Sequence, residues 1–285
     1  MTTAYCPGHI TCFFYPVRSY DVLSAGSKGA GIKLLRGSTV TLEERSDDRI
    51  EIQMDGKEAA CGITRLALRM IAPKRGFDVT VTNGLPVSQG FGMSAAGAIA
   101  ASMCACQITG QNKQEAFRVA HIAEIEGGGG LGDVAGIMCN GHQPTRVVAG
   151  LPPLGKVIDS GYKLDLNVAV LGKTLDTGVI LENKDVMAKM IEIGPKFVDA
   201  YVKDSTAKNL FRLSRLFSKL TGLETPEISN ALGALSKEGD AGMCMLGHSI
   251  FTTVPNDQVY KILGDDVPIY RCPSTNREAR IIRKG

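Results

Sequence analysis

The sequence predicts a mixed α/β (α+β) protein in two parts, and three observations carry that prediction. A strand-like run over 77–82 leads into a glycine-bearing turn and then into small helix formers as far as about 108. Strand patterns dominate the opening third, whereas helical patterns over about 183–203, 205–221 and 226–238 dominate the second half. Between them, Gly150-Leu-Pro-Pro-Leu-Gly155 breaks both periodicities, so the parts are expected at 1–152 and 153–285. A chain of 285 residues is long enough for two modest domains.

Taken in order, residues 4–15 carry a Pro7-Gly8 turn signal and then an aromatic, β-branched strand. Glycines crowd 24–31, which reads as a loop; if it faces a ligand, Ser27 and Lys28 are its donors to an acidic group. Residues 38–43 and 49–54 alternate around Asp47-Asp48 as a hairpin would. Helical periodicity over 61–72 ends before Pro73. Two helices are expected over 94–108 and 114–126. In the second, Ala116, Val119, Ala120, Ile122 and Ala123 share one arc, into which Glu126 projects. Glu124 falls toward Arg118 and His121, which reads as the solvated side. Strands over 166–171 and 267–271 and an apolar run over 243–254 complete the pattern.

The stretch from Pro86 to Cys106 carries the chemistry. Gly90 and Gly92 precede the helix start, and glycine lets the backbone close on an anion without Cβ obstruction. A helix N-terminus offers unpaired N–H groups and the positive end of the dipole, which suits phosphate. Ser94 stands in the first turn, where its oxygen can cap the helix or bind a phosphate-held metal. Further on, Gly127 to Gly130 exceed what a helix C-cap needs, and Asp133 follows in a segment a ligand can approach. An anion cradle, a hydroxyl beside it, a core-facing Glu and a loop Asp form a set suited to phosphoryl transfer.

These residues resemble the GHMP kinases. The second motif of that family, P-x-x-x-G-L-G-S-S-A-A, stands here as Pro86, Gly90, Phe91, Gly92, Met93, Ser94, Ala95 and Ala96, with Phe91 for Leu and Met93 for the first Ser. Pro7, Gly8, His9 and Ile10 match the first motif, with His9 where most relatives carry Lys or Arg. Of the third, glycine-rich motif only Gly242 and Gly247 remain. The resemblance implies a ribosomal-protein-S5-like N-terminal half and a ferredoxin-like C-terminal half, with ATP between them. It implies ATP on 90–96, Mg2+ on Ser94 and Glu126, and Asp133 orienting or deprotonating the acceptor hydroxyl; Glu124 is the other candidate for the metal. It places His9, Ile10, Ser27 and Lys28 on the acceptor side.

Within the family, Pro7-Gly-His-Ile-Thr11, Gly26-Ser-Lys-Gly-Ala-Gly31 and Gly130-Leu-Gly-Asp133 look most like the archaeal pantoate kinases, as does Met245-Leu-Gly-His248. The resemblance then implies phosphorylation of the primary hydroxyl of pantoate, on the route to coenzyme A. That acceptor needs a cation (Lys28, Arg18 or His9) and an apolar wall (Phe13, Phe14 or Ile10). Another small-alcohol kinase of the fold, for homoserine, mevalonate or shikimate, and a non-catalytic ligand sensor are the alternatives.

Other classes fit less well. Gly172-Lys-Thr174 ends like a phosphate-binding P-loop, but Asn167 stands where its opening Gly belongs. Gly90, Gly92 and Ala95 fit a dinucleotide fingerprint, yet they follow hairpin-like strands with Pro86 in the approach. A net charge of +3 argues for neither nucleic acid nor a membrane surface. No apolar run is long enough to span a bilayer and no signal-peptide layout opens the chain, so a cytoplasmic protein is expected. The eight cysteines lack zinc spacing and read as free thiols. Family habit adds a homodimer as a further expectation.

Overall fold

A computed structural model describes residues 1–174 and 183–284. Strand β1 (Thr2–Val17) pairs antiparallel along almost its whole length with β2 (Gly26–Arg45). Pro7-Gly8 is not a turn: the strand runs through it with a register shift. The Pro lacks an N–H for the ladder, and the Gly leaves room for a crossing segment; a Cβ there would meet the Phe91 carbonyl oxygen at 3.0 Å. From Gly26 onward the glycine-rich run over 24–31 is strand rather than loop, since Gly26 already pairs with Val17, and only Ser24 and Ala25 stay in the turn before it. Its glycines let β2 lie flush on the bulky residues of β1: a Cβ at Gly29 would stand 2.7 Å from that of Phe14.

The expected hairpin around Asp47-Asp48 does not form. Strand β3 (Ile50–Met54) pairs parallel with β5 (Gly76–Asn83), and β5 lies between β2 and β3. The chain reaches β5 through the short β4 (Lys57–Glu58) and helix α1 (Gly62–Ile71), a crossover of the kind parallel strands require. Strand β6 (Pro144–Val148) pairs β2 and β7 (Lys156–Asp159), and β12 (Arg280–Arg283) returns to pair β1. The last strand thus joins the first sheet, although the intervening residues build the second. That sheet, ordered β11-β8-β10-β9, comprises β8 (Asn167–Val170), β9 (Ala241–Met243), β10 (Ser249–Thr252) and β11 (Ile269–Arg271).

Helix α2 (Met93–Thr109) is the centrepiece of the first half, with α1 and α3 (Lys113–Glu126) against it. Thirteen of its 17 residues are buried, and most are Ala, Gly, Ser or Cys, so its neighbours approach closely on every side. The second half adds α5 (Lys184–Lys203), α6 (Ala207–Thr221), α7 (Pro226–Leu235) and α8 (Asn256–Leu263) around the second sheet, after a short α4 (Asp133–Met138) in the first. One core cluster joins Phe13, Phe14, Phe91 and Met93 to Phe197, Phe217 and Phe251, so the two sheets share apolar contacts. All eight cysteines are free and buried or half-buried. Among the described residues, no helix is long and apolar enough to cross a membrane.

Candidate active site

The start of α2 opens into a cavity between the two sheets. Gly90, Phe91, Gly92, Met93 and Ser94 form one wall. Gly90 and Gly92 hold left-handed backbone, at φ +76° and +66°, which turns the chain sharply into the helix. Gly92 is the N-cap and offers no side-chain oxygen to the first turn. The Ala96 N–H already donates to the Gly92 carbonyl at 3.0 Å. The N–H groups left without helical partners are therefore those of residues 92–95 rather than 92–96. Phe91 and Met93, the two departures from the family motif, are buried in the core. Ala95 and Ala96 are fully buried, so they shape the helix without lining the cavity.

Gly92→Ala is expected to destabilise the fold by about 1–2 kcal/mol, from left-handed backbone alone. Its Cβ would also stand 2.9 Å from the His9 carbonyl oxygen. Thermal melts of the variant against the parent check this.

The opposite wall comes from the segment after α3: Glu124, Gly129, Gly130, Gly132 and Asp133. Here the two glutamates exchange the places expected of them. Glu126 is exposed, on the solvent side with Gln114 and Arg118. Glu124 is 1% exposed and lines the cavity. The Ser94 hydroxyl donates to Glu124 Oε1 at 2.7 Å, and the Gly130 N–H donates to Oε2. His121 is buried as well, with its Nε2 at 3.1 Å from the Val22 carbonyl, whereas α2 and the glycine run cover Glu124. Burial pushes the Glu124 carboxyl up to about 7, and the nearby charge of Asp133 adds to the rise. A Cβ at Gly129 would stand 2.6 Å from Glu124 Oε2, which accounts for that glycine.

Asp133 opens α4 and is bound at Oδ1 by His9 Nδ1 at 2.6 Å. His9 is fully buried behind Asp133 and does not line the cavity. Ile10 is likewise sealed in the core. Ser27 lines the cavity whereas its neighbour Lys28 does not, as strand alternation requires. Arg18 stands on a separate surface groove, and Phe13 packs among Phe197, Tyr201 and Phe217. Of the apolar candidates, Phe14 reaches the cavity, joined by Leu131, Met245 and Leu246.

Two contributors had no sequence signal. Arg146, on β6, is 1% exposed, and its Nε and Nη1 have no hydrogen-bond partner. Its guanidinium lies directly behind the wall formed by Thr11, Ser27 and Gly132: a Cβ at Gly132 would be 2.5 Å from Nε, and Nη2 is 3.5 Å from Thr11 Oγ1. Gln89 ties the loop before α2 to the second sheet and its flanks. Its Nε2 donates to the Gly172 carbonyl at 3.0 Å, its Oε1 accepts from His248 N at 3.1 Å, and its carbonyl accepts from Ser249 Oγ at 2.6 Å. The thin third motif thus works as a seat: Gly247 lies flush on Gln89, and Met245 and Leu246 close the cavity on its second side.

Known proteins share this frame. A model of the GHMP kinases N terminal domain matches residues 59–141. The chain is 32% identical over 271 residues to a pantoate kinase of Thermococcus kodakarensis, spanning 90% of this chain and 89% of that one. It is 29% identical over 252 residues to a pantoate kinase of Methanocaldococcus jannaschii, spanning 87% and 90% of the two. A solved phosphotransferase related to the CoA biosynthesis pathway superposes with a TM-score of 0.89 at 27% identity, over 98% of each chain. A mevalonate kinase shares the fold, with a TM-score of 0.70 at 16% identity over 96% of this chain and 99% of that one. By kinship over nine-tenths of its length, the chain belongs to the GHMP kinase family, in the group of the archaeal pantoate kinases, and is an ATP-dependent kinase.

Proposed function

We propose that the protein transfers the γ-phosphate of ATP to the primary hydroxyl of pantoate, giving 4-phosphopantoate for coenzyme A synthesis. One observation carries this reading: an open helix N-terminus, the Ser94–Glu124 pair and Asp133 all face a single cavity. The N–H groups of 92–95 bind the phosphates. Asp133 takes or orients the hydroxyl proton while the acceptor oxygen bonds to the γ-phosphorus and the bond to ADP breaks, leaving that proton on the carboxylate.

The residues fit Mg2+. Among the described residues, the cavity wall holds two carboxylates and no Lys or Arg, so a polyphosphate enters comfortably only with a divalent cation. No cluster of three or more acidic, His or Cys residues is built to hold a metal by itself, again among the described residues. That suits an ion shared between one or two carboxylates and phosphate oxygens. Ser94 Oγ and Glu124 would hold it; Glu126 is too far into solvent for the role. When bound, it neutralises charge on the phosphate oxygens.

Arg146 supplies the positive field for the acceptor carboxylate through the thin wall at Thr11, Ser27 and Gly132. Ser27 offers the direct hydrogen bond, and Phe14 and Leu131 the apolar surface for the two methyls. Arg146→Met is expected to raise KM for the acceptor by about tenfold and leave KM for ATP within about twofold, because it removes a buried positive charge whose attraction reaches the acceptor carboxylate through the wall. Initial-rate kinetics with each substrate varied would check this.

ADP release with ATP and Mg2+ across pantoate, pantothenate, homoserine, mevalonate and shikimate tests the whole reading. Turnover on pantoate alone is the expected outcome. Turnover on another alcohol would overturn the acceptor, and ATP binding with no turnover would favour a sensor. The same reading carries a cytoplasmic location and a homodimer, the latter checked by sedimentation.

A further inference from the structure

The least expected feature of the cavity lies behind it. His9 is fully buried, and its Nδ1 is 2.6 Å from Asp133 Oδ1. A carboxylate only accepts, so Nδ1 carries the hydrogen. The other nitrogen, Nε2, is buried with no partner. It sits in a slot between Gly31 and Gly136; a Cβ at Gly136 would come within 2.7 Å of it. An imidazolium would place a second N–H in that slot, unpaired and cut off from water, at a cost of several kcal/mol in such a site. Burial accordingly holds the ring below the usual histidine range, with the charges of Arg146 and Lys33 acting in the same direction and Asp133 against them. The backbone of the same residue engages the phosphate side: His9 N–H donates to the Phe91 carbonyl at 3.0 Å.

We propose that His9 is a positioning residue: its neutral ring, as the Nδ1–H tautomer, fixes Asp133 Oδ1 and leaves Oδ2 turned toward Gly130 on the cavity wall for the acceptor hydroxyl. His9 thereby sets Asp133 and the phosphate-side loop in one register through a single residue of β1. Because the ring stays neutral, no proton passes between it and Asp133, and the carboxylate keeps its charge for the acceptor. This assignment rests on the reading of Asp133 as the group that receives the acceptor proton.

The test is a pair of variants. His9→Leu keeps the bulk and removes the donor; His9→Asn restores an N–H at the place of Nδ1. His9→Leu is expected to lose about 10- to 100-fold in kcat, the usual effect of releasing a positioned catalytic group, with KM for ATP and acceptor within about threefold. His9→Asn should recover most of that loss. Nitrogen-15 NMR of the intact wild-type protein gives a readout independent of activity and of variant folding. Of its four histidines, the one missing in His9→Asn should show the neutral Nδ1–H tautomer. A His9→Leu protein that turns over within twofold of wild type while Asp133→Asn is dead would overturn the role of His9 alone. An Nε2–H or doubly protonated ring would do the same. Full turnover by Asp133→Asn itself would bring down the base reading, and this proposal with it.

Discussion

An Asp133→Asn protein is expected to lose phosphoryl transfer by about 10²–10⁴-fold while still binding ATP, the range for removing a positioned general base. The substitution keeps the shape of the side chain and an oxygen for His9 Nδ1 to donate to, so the wall of the cavity should stay intact. What it removes is the capacity to take a proton from the acceptor. Asp133 lies across the cavity from the helix start, away from the free N–H groups of 92–95, so nucleotide affinity should change little. Calorimetric titration with a non-hydrolysable nucleotide and a single-turnover assay separate the two effects. Equal loss of binding and turnover would mean that Asp133 holds the phosphates, and undiminished turnover would remove it from the chemistry.

Glu124→Gln should combine two effects of opposite sign. The Glu124 carboxyl is pushed from 4.5 up to about 7, first by burial and then by Asp133. The folded protein therefore holds this proton more tightly than the unfolded chain does. The group imposes no penalty below about pH 4.5; stability then falls as pH rises through 7, and above that the cost of the buried charge is present in full. The difference corresponds to about 3 kcal/mol. Gln mimics the neutral acid, so the variant without ligand should be more stable than the parent at pH 8, by up to about 3 kcal/mol, and the two should converge toward pH 5. Turnover should drop by 10²-fold or more, in keeping with loss of a charged group at the reacting phosphates. Mg2+ with ATP should stabilise the parent more than the variant. Denaturant melts at both pH values, with and without Mg2+ and ATP, check each point. A variant less stable than the parent at pH 8 would show that the buried charge is already compensated.

Much of the site was legible because its signals are local. Gly90, Gly92 and Ser94 sit within five residues, and their meaning depends only on a helix beginning there. Asp133 was marked by the glycines before it. The errors all concern neighbours that local pattern does not supply. A helical projection assigned Glu124 and Glu126 to opposite faces correctly, but not which face is covered. The Ser94 hydroxyl and the Gly130 N–H decide that, from α2 and from the chain beyond α3. The glycines of 24–31 read as loop because flexibility and close approach leave the same composition, and here the reason is the bulky surface of β1. The hairpin at Asp47-Asp48 failed because β5 inserts between its two strands, a pairing set by the crossover through α1.

By itself the sequence determined the class of fold, the glycine-led helix start, and the residue types that gather around the cavity. Local periodicity and glycine placement carry these through short-range sterics and hydrogen bonding. Only the tertiary structure decided that Glu124 faces the cavity, that His9 stands behind Asp133 instead of on the cavity wall, and that Arg146 and Gln89 pack against that wall and its loop. Each of these follows from what lies across a strand or helix in space, and the burial that gives such groups their chemistry is a property of the packed chain.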